Sequence, residues 1–206
     1  YKKMEEKNNI NLSIKKLLAG ELVIFPTETV YGLGADATNS DAIKKIYKIK
    51  KRPLNNPIII HFKNLSSVKK HVELDESAIK LANFFWPGPL TLILKKKKNS
   101  KISPYVSNKN RYIGCRVPNH LIALKILNKL NKPIAAPSAN MSTKLSTTKI
   151  EHIDSKLKKK IYFLNGGNCN LGLESTVIKL AGKNLEILRY GSITEEKIKK
   201  VLPNIK

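Results

Sequence analysis

Six short stretches of this sequence mix glycine or proline with small hydroxyl and amide residues. They are Pro26 to Gly34 (PTETVYGLG), Lys50 to Pro57 (KKRPLNNP), Trp86 to Thr91 (WPGPLT), Arg116 to His120 (RVPNH), Ala135 to Asn140 (AAPSAN) and Gly166 to Thr176 (GGNCNLGLEST). Loops of this kind bring backbone N–H groups and short donors close to an anion. Each joins a strand-like run, so together they could line one cleft. Only four of the 39 cationic residues are arginine (Arg52, Arg111, Arg116 and Arg189). A guanidinium grips phosphate or carboxylate in a planar, two-pronged way that an ammonium cannot. Each arginine is therefore a candidate for such a role. Generic signatures fail: there is no P-loop and no G-x-S-x-G, and Gly32, Gly34 and Ala37 match a dinucleotide fingerprint without its spacing or acidic partner. Cys115, Cys169 and the four histidines show no zinc-ligand spacing. Trp86, between Phe85 and Pro87, reads as architecture, and His61 at a strand end reads as a hydrogen-bonded core histidine. The residues alone give an α/β domain with an anion-binding cleft.

The elements that must position these loops follow from periodicity. Helices are expected over Ile10 to Ala19, Asp41 to Lys50 with Ser40 as cap, Leu65 to Val72, Glu76 to Phe85, His120 to Leu130, Glu151 to Lys160 and Thr194 to Val201. Strands are expected over Leu22 to Phe25, Ile58 to Phe62, Leu90 to Leu94, Tyr112 to Val117, Pro133 to Ala136, Ile161 to Leu164, Ser175 to Leu180 and Leu185 to Leu188. Lys95 to Asn110 reads as an exposed, mobile loop. Helices and strands alternate irregularly, which predicts one domain with a mixed, twisted sheet. Residues 1–9 read as a polar tail and 10–206 as the domain. With 206 residues, 41% hydrophobic and 26% charged, the chain has length enough for a substantial core. No apolar run approaches the roughly 18 residues needed to span a bilayer, and two scattered thiols fit a reducing, cytoplasmic compartment. The net charge of +24 raises an RNA-binding module as an alternative, but lysine spread along every segment reads as a solvated surface, and 6% aromatic residues offer few stacking platforms.

In this order, the motifs PTETVYGLG, K-x-R-P, NPIIIH, WPGPLT, RVPNH, APSAN, GLESTV and LRYG resemble the YrdC-like family of threonylcarbamoyl-AMP synthases, from about Ile10 to Val201. The resemblance implies a single-domain, open, twisted mixed α/β sheet with flanking helices around a basic concave cavity, of YrdC/RibB-like type. It implies that L-threonine, bicarbonate or CO2 and ATP react there to give threonylcarbamoyl-AMP and pyrophosphate. A downstream threonylcarbamoyl transferase complex would pass the group to tRNA, which could itself make a weak contact. Mg2+ is expected to arrive with the triphosphate, with no protein side chain as its ligand. Lys50 and Arg52 match catalytic positions. Arg52, Asn56, Tyr112, Ser138, Asn140, Ser146 and Arg189 match nucleotide positions. Thr29, His61, Arg116, Ser175 and, through its backbone, Ala136 match threonine positions. Ser142 to Ser146 departs from the family by lacking glycine and proline. The chain stops soon after its closing helix, which resembles the short, single-domain type. A carbamoyl-adenylate domain of hydrogenase-maturation type is a further alternative, distinguished by its use of carbamoyl phosphate.

Overall fold

The computed structural model of the chain describes residues 2–140, 146–182 and 184–205. Its strands are β1 (Val23–Phe25), β2 (Gly32–Asp36), β3 (Ile60–His61), β4 (Leu90–Lys95), β5 (Tyr112–Arg116), β6 (Ile134–Ala135), β7 (Tyr162–Phe163), β8 (Thr176–Ala181) and β9 (Asn184–Arg189). Among the described residues they form one sheet in the order β7-β1-β2-β6-β3-β5-β4-β8-β9. Three neighbouring pairs are parallel (β1–β7, β3–β5, β4–β8) and the other five antiparallel, so the sheet is mixed and open. The helices are α1 (Lys2–Leu18), α2 (Ser40–Lys50), α3 (Leu65–Lys69), α4 (Glu76–Phe85), α5 (Leu121–Leu130), α6 (Ser155–Lys160) and α7 (Glu195–Val201).

Side chains alternate across this sheet as strand geometry requires. Ile24, Ala135, Leu92, Leu94, Ile113, Cys115 and Ile178 point into the larger core with Ile43 and Ile46 of α2 and Leu81 of α4. Val23, Phe25 and Ile134 point the other way, against Ile10 and Leu17 of α1 and Ile126 and Leu127 of α5. That second apolar layer extends no further than these strands. Beyond β6 the same sheet face carries His61, Ile93, Gly114, Arg116 and Val177, and it is left open as a concave floor.

Four expectations are corrected. The first helix begins at Lys2, eight residues early, because its first turns carry good helix formers and no breaker. The cap of α2 is Asn39, whose side chain accepts from Asp41 N and Ala42 N, leaving Ser40 to bond Ser103 instead. Strand β2 was hidden by its glycines. A Cβ on Gly34 would meet Phe25 Cε1 at 2.6 Å, so this buried strand needs glycine where the Phe25 ring crosses it. The stretch Lys95 to Asn110 is a packed connection rather than a mobile loop. Ile102, Ser103, Val106 and Ser107 are buried, and Ser103 N and Ile58 N reach Ala37 O and Val106 O at 2.9 and 2.8 Å. Its lysines mask two apolar residues that reach the core.

Candidate active site

The open floor and the loops at its rim enclose a cavity of about 370 Å3. Arg52, Arg116 and Arg189 all line it, while Arg111 is exposed elsewhere. Thr29, Asn56, His61, Ala136, Ser138 and Ser175 line it as well, so residues from six separate segments meet there.

The inner end is dry and tightly held. Arg116, at the end of β5, is 3% exposed. Its Nε donates to Gly88 O at 3.1 Å and its Nη1 to Thr29 Oγ1 at 2.9 Å. The WPGPLT turn thus aims this arginine, while Trp86 stays architectural, buried with Nε1 bonded to Leu90 O. Arg116 Nη2 lies 2.6 Å from Glu28 Oε1, a buried charge contact that is not aligned as a hydrogen bond. Both Glu28 oxygens, Arg116 Nη2 and His61 Nδ1 have no hydrogen-bond partner among the described residues. Such buried, unsatisfied atoms cost about 1–3 kcal/mol each, which is why native proteins keep few of them away from functional sites. Burial and the Arg116 charge push the His61 imidazole down to about 3, so it is neutral near pH 7. The ring stands edge-on to Phe25, so His61 belongs both to the core and to the cavity wall.

The outer end is wetter. Arg52 follows Lys51, whose left-handed φ of 51° closes α2, and its guanidinium bonds Asn56 O, Asn56 Oδ1 and Pro57 O. Arg189 closes β9. There the register passes from Val177–Arg189 to Ile178–Ile187, so Leu188 is the extra residue of a bulge and both Leu188 and Arg189 line the cavity. Arg189 Nε and Nη2 donate to Ser175 O and Ser175 Oγ at 3.0 and 2.9 Å, and Nη1 makes a short ion pair with Glu174. Ser175 Oγ is also 2.8 Å from the buried Thr91 Oγ1. The following turn must pass close behind: a Cβ on Gly191 would lie 2.4 Å from Glu174 O. Burial lowers the affinity of the Arg52 and Arg189 guanidinia for their protons, yet both remain cations.

The other expected residues stand back from the cavity wall. Lys50 is 1% exposed; its Nζ donates to Ser138 O at 2.5 Å, to Asn140 Oδ1 at 3.2 Å and, in a short bond, to Asn140 O. It braces the Ser138–Asn140 turn from behind, and burial together with Arg52 pulls its ammonium down to about 8. Asn140 Oδ1 accepts from Ser138 Oγ at 2.6 Å, which orients that hydroxyl. Ser146 Oγ donates to Glu174 Oε1 at 2.8 Å. Tyr112 shares the face of β5 that carries Gly114 and Arg116 but sits beyond the cavity, with Lys179 Nζ 5.4 Å from its ring centroid. The expected irregularity at Ser142 to Ser146 lies outside the described residues except for Ser146. The carboxylates Glu28 and Glu174, and Thr27 and Thr91 behind Thr29 and Ser175, were missed. Both acids sit inside the quoted motifs, and three converging arginines call for counter-charges.

The chain is similar to known proteins over most of its length. The model of the family Sua5_yciO_yrdC, described as "Telomere recombination", matches residues 15–191. The threonylcarbamoyl-AMP synthase of Bacillus subtilis is 45% identical over 188 residues, covering 90% of this chain and 54% of that protein. The structure of Pyrococcus abyssi Sua5 complexed with L-threonine superposes with a TM-score of 0.91 at 41% identity, over 96% of this chain and 58% of the other. E. coli YciO superposes with a TM-score of 0.82 at 25% identity, over 92% of both chains. The chain thus spans a little over half the length of the Bacillus and Pyrococcus relatives.

Proposed function

Because this chain belongs to the Sua5/YciO/YrdC family, we propose that it is a threonylcarbamoyl-AMP synthase, a nucleotidyltransferase of the cytoplasm that serves tRNA modification. The observation that carries this reading is the meeting of Arg52, Arg116 and Arg189, from three distant segments, on one cavity with Thr29, Ser138 and Ser175.

At the inner end Arg116 and Thr29 take the carboxylate of L-threonine, with neutral His61 and Ser175 beside it. Neutral imidazole matters here, since an imidazolium would compete with Arg116 for the same charge. The neutral amine adds to the carbon of CO2 and loses a proton to solvent, giving a carbamate; bicarbonate serves as the source of that CO2 by losing hydroxide. A carbamate oxygen then attacks the α-phosphorus of ATP, the bond to the bridging β-oxygen breaks, and pyrophosphate leaves with the negative charge. Arg52 and Arg189, held at the outer end with Ser138, offset that charge as it moves. The protein supplies no nucleophile; holding an unstable carbamate against phosphorus in a dry pocket provides the acceleration. Lys50 acts one step removed, fixing the turn that presents Ser138. Among the described residues no group of His, Cys, Asp or Glu could hold a metal ion, and the cavity carboxylate Glu174 is engaged by Arg189 and Ser146. In this scheme Mg2+ arrives with the ATP. No described helix is long and apolar enough to cross a membrane.

The test is pyrophosphate release from ATP, Mg2+, bicarbonate and L-threonine. The expected result is release that requires threonine; threonine-independent release, or release driven by carbamoyl phosphate, would reject the reading.

A further inference from the structure

The cavity wall is built to attract anions, yet it contains a carboxylate. Glu174 is the acid among the lining residues, facing Arg52, Arg116 and Arg189. Its two oxygens are engaged by Arg189, from the end of β9, and by Ser146, from a different segment. Both of these match nucleotide positions, and both are what a phosphate oxygen would use. A carboxylate presents a guanidinium with the same pair of acceptors that a phosphate does. We propose that Glu174 is an internal competitor for the phosphate subsite, whose side chain swings out when a polyphosphate takes Arg189 and Ser146. This inference rests on the reading of that end as the nucleotide's.

Two observations and one electrostatic argument separate a competitor from a structural partner. Arg189 does not depend on Glu174 for its aim, because its Nε and Nη2 are fixed on Ser175 O and Ser175 Oγ. Glu174 can move, its side chain being 31% exposed, whereas the other acid of the site, Glu28, is 7% exposed and locked behind Arg116. Finally, leaving Glu174 in place would set a negative charge against the incoming phosphates, so binding and displacement must go together. The consequence is selectivity by charge. A polyphosphate brings enough charge to displace the carboxylate, while an adenylate with a single phosphate does so poorly. The same device that admits ATP then loosens the hold on the product once pyrophosphate has gone.

The experiment measures binding of inorganic pyrophosphate and of Mg2+-free ATP by calorimetry to the whole chain and to Glu174→Gln and Glu174→Ala. Thermal melting monitors the fold. Both variants should bind pyrophosphate up to about fivefold more tightly, the upper range for a partly exposed charge pair. Unchanged or weaker binding in both, or no pyrophosphate binding by any form, would overturn the proposal. So would a loss of affinity seen only when Mg2+ is added, since Glu174 would then be a metal ligand. Tighter pyrophosphate with no ATP binding would uphold Glu174 as competitor and instead remove the nucleotide reading of this site.

Discussion

The two ends of the cavity solve the same problem, recognition of an anion by guanidinium, in opposite ways. At the inner end Arg116 is buried, paired with a buried acid, and close to polar atoms that have no hydrogen-bond partner among the described residues. At the outer end Arg52 and Arg189 are part-exposed and satisfied by groups of the protein itself. A buried, under-satisfied end suits a small ligand of fixed shape, because any misfit strands a charge away from water. A wetter, self-satisfied end suits a larger ligand that enters and leaves in pieces. Under the proposed function, the difference means that affinity for the amino acid would be set by pre-organisation, and traffic of the nucleotide by exchange of partners.

The largest effect should come from Arg116→Ala. It strands Glu28 in the interior, so denaturant unfolding should show a loss of about 3 kcal/mol, and threonine binding should vanish. Similar stability with intact threonine binding would erase the inner end as described. Arg52→Ala probes the other side of the comparison. It should lower kcat about 100-fold, in line with losing one donor to a developing charge, while the melting temperature stays within about 2 °C because a half-exposed loop cation contributes little to stability. Lys50→Met should have a smaller effect than either, raising KM for ATP about tenfold with little change in KM for threonine, since the residue acts through the Ser138 turn.

Lys50 also sharpens the comparison through pH. Its folded pKa is depressed to about 8, below the ordinary lysine value of 10.5. Between those values the unfolded chain holds a proton that the folded one lacks, so this group adds stability as pH rises through that window. Deprotonation removes one of its donors to the turn, so ATP affinity should decline above about pH 8, and Lys50→Met should lack that limb. The smallest effect belongs to His61. Its folded value of about 3 lies below the ordinary 6.5. Below pH 6.5 the unfolded chain protonates first, so stability is lost as pH falls from 6.5 toward 3. His61→Phe should flatten that fall, visible in melts between pH 4 and 7, while threonine KM between pH 6 and 8 shows no histidine inflection in the parent protein.

Much of this was legible in the sequence because the relevant signals are local. The runs Ile58 to Phe62 and Leu90 to Leu94 announced strands by β-branching and length, and Arg52, Arg116 and Arg189 stood out by rarity in a lysine-rich chain. What escaped reading depends on partners distant in the chain. Glycines of β2 look like a loop until Phe25 is seen to cross them. Ile102 and Val106 look like islands in a polar stretch until Ile58 and Ala37 are seen to bond that segment. Lys50 matched the first basic residue of the family's K-x-R element, but whether that lysine faces the cavity or the turn behind it depends on Ser138 and Asn140, about 90 residues away, whose oxygens its Nζ bonds. Glu174 lies inside a quoted motif, but an acid beside Ser175 reads as surface until Arg189 is seen to pair with it.

The central claim is that one hollow holds both substrates in a fixed order. A crystal structure with L-threonine and a non-hydrolysable ATP analogue tests it most directly. The account predicts threonine's carboxylate on Arg116 and Thr29, and the phosphates across Arg52, Ser138 and Arg189. Ligands bound the other way round, or in separate places on the surface, would contradict it.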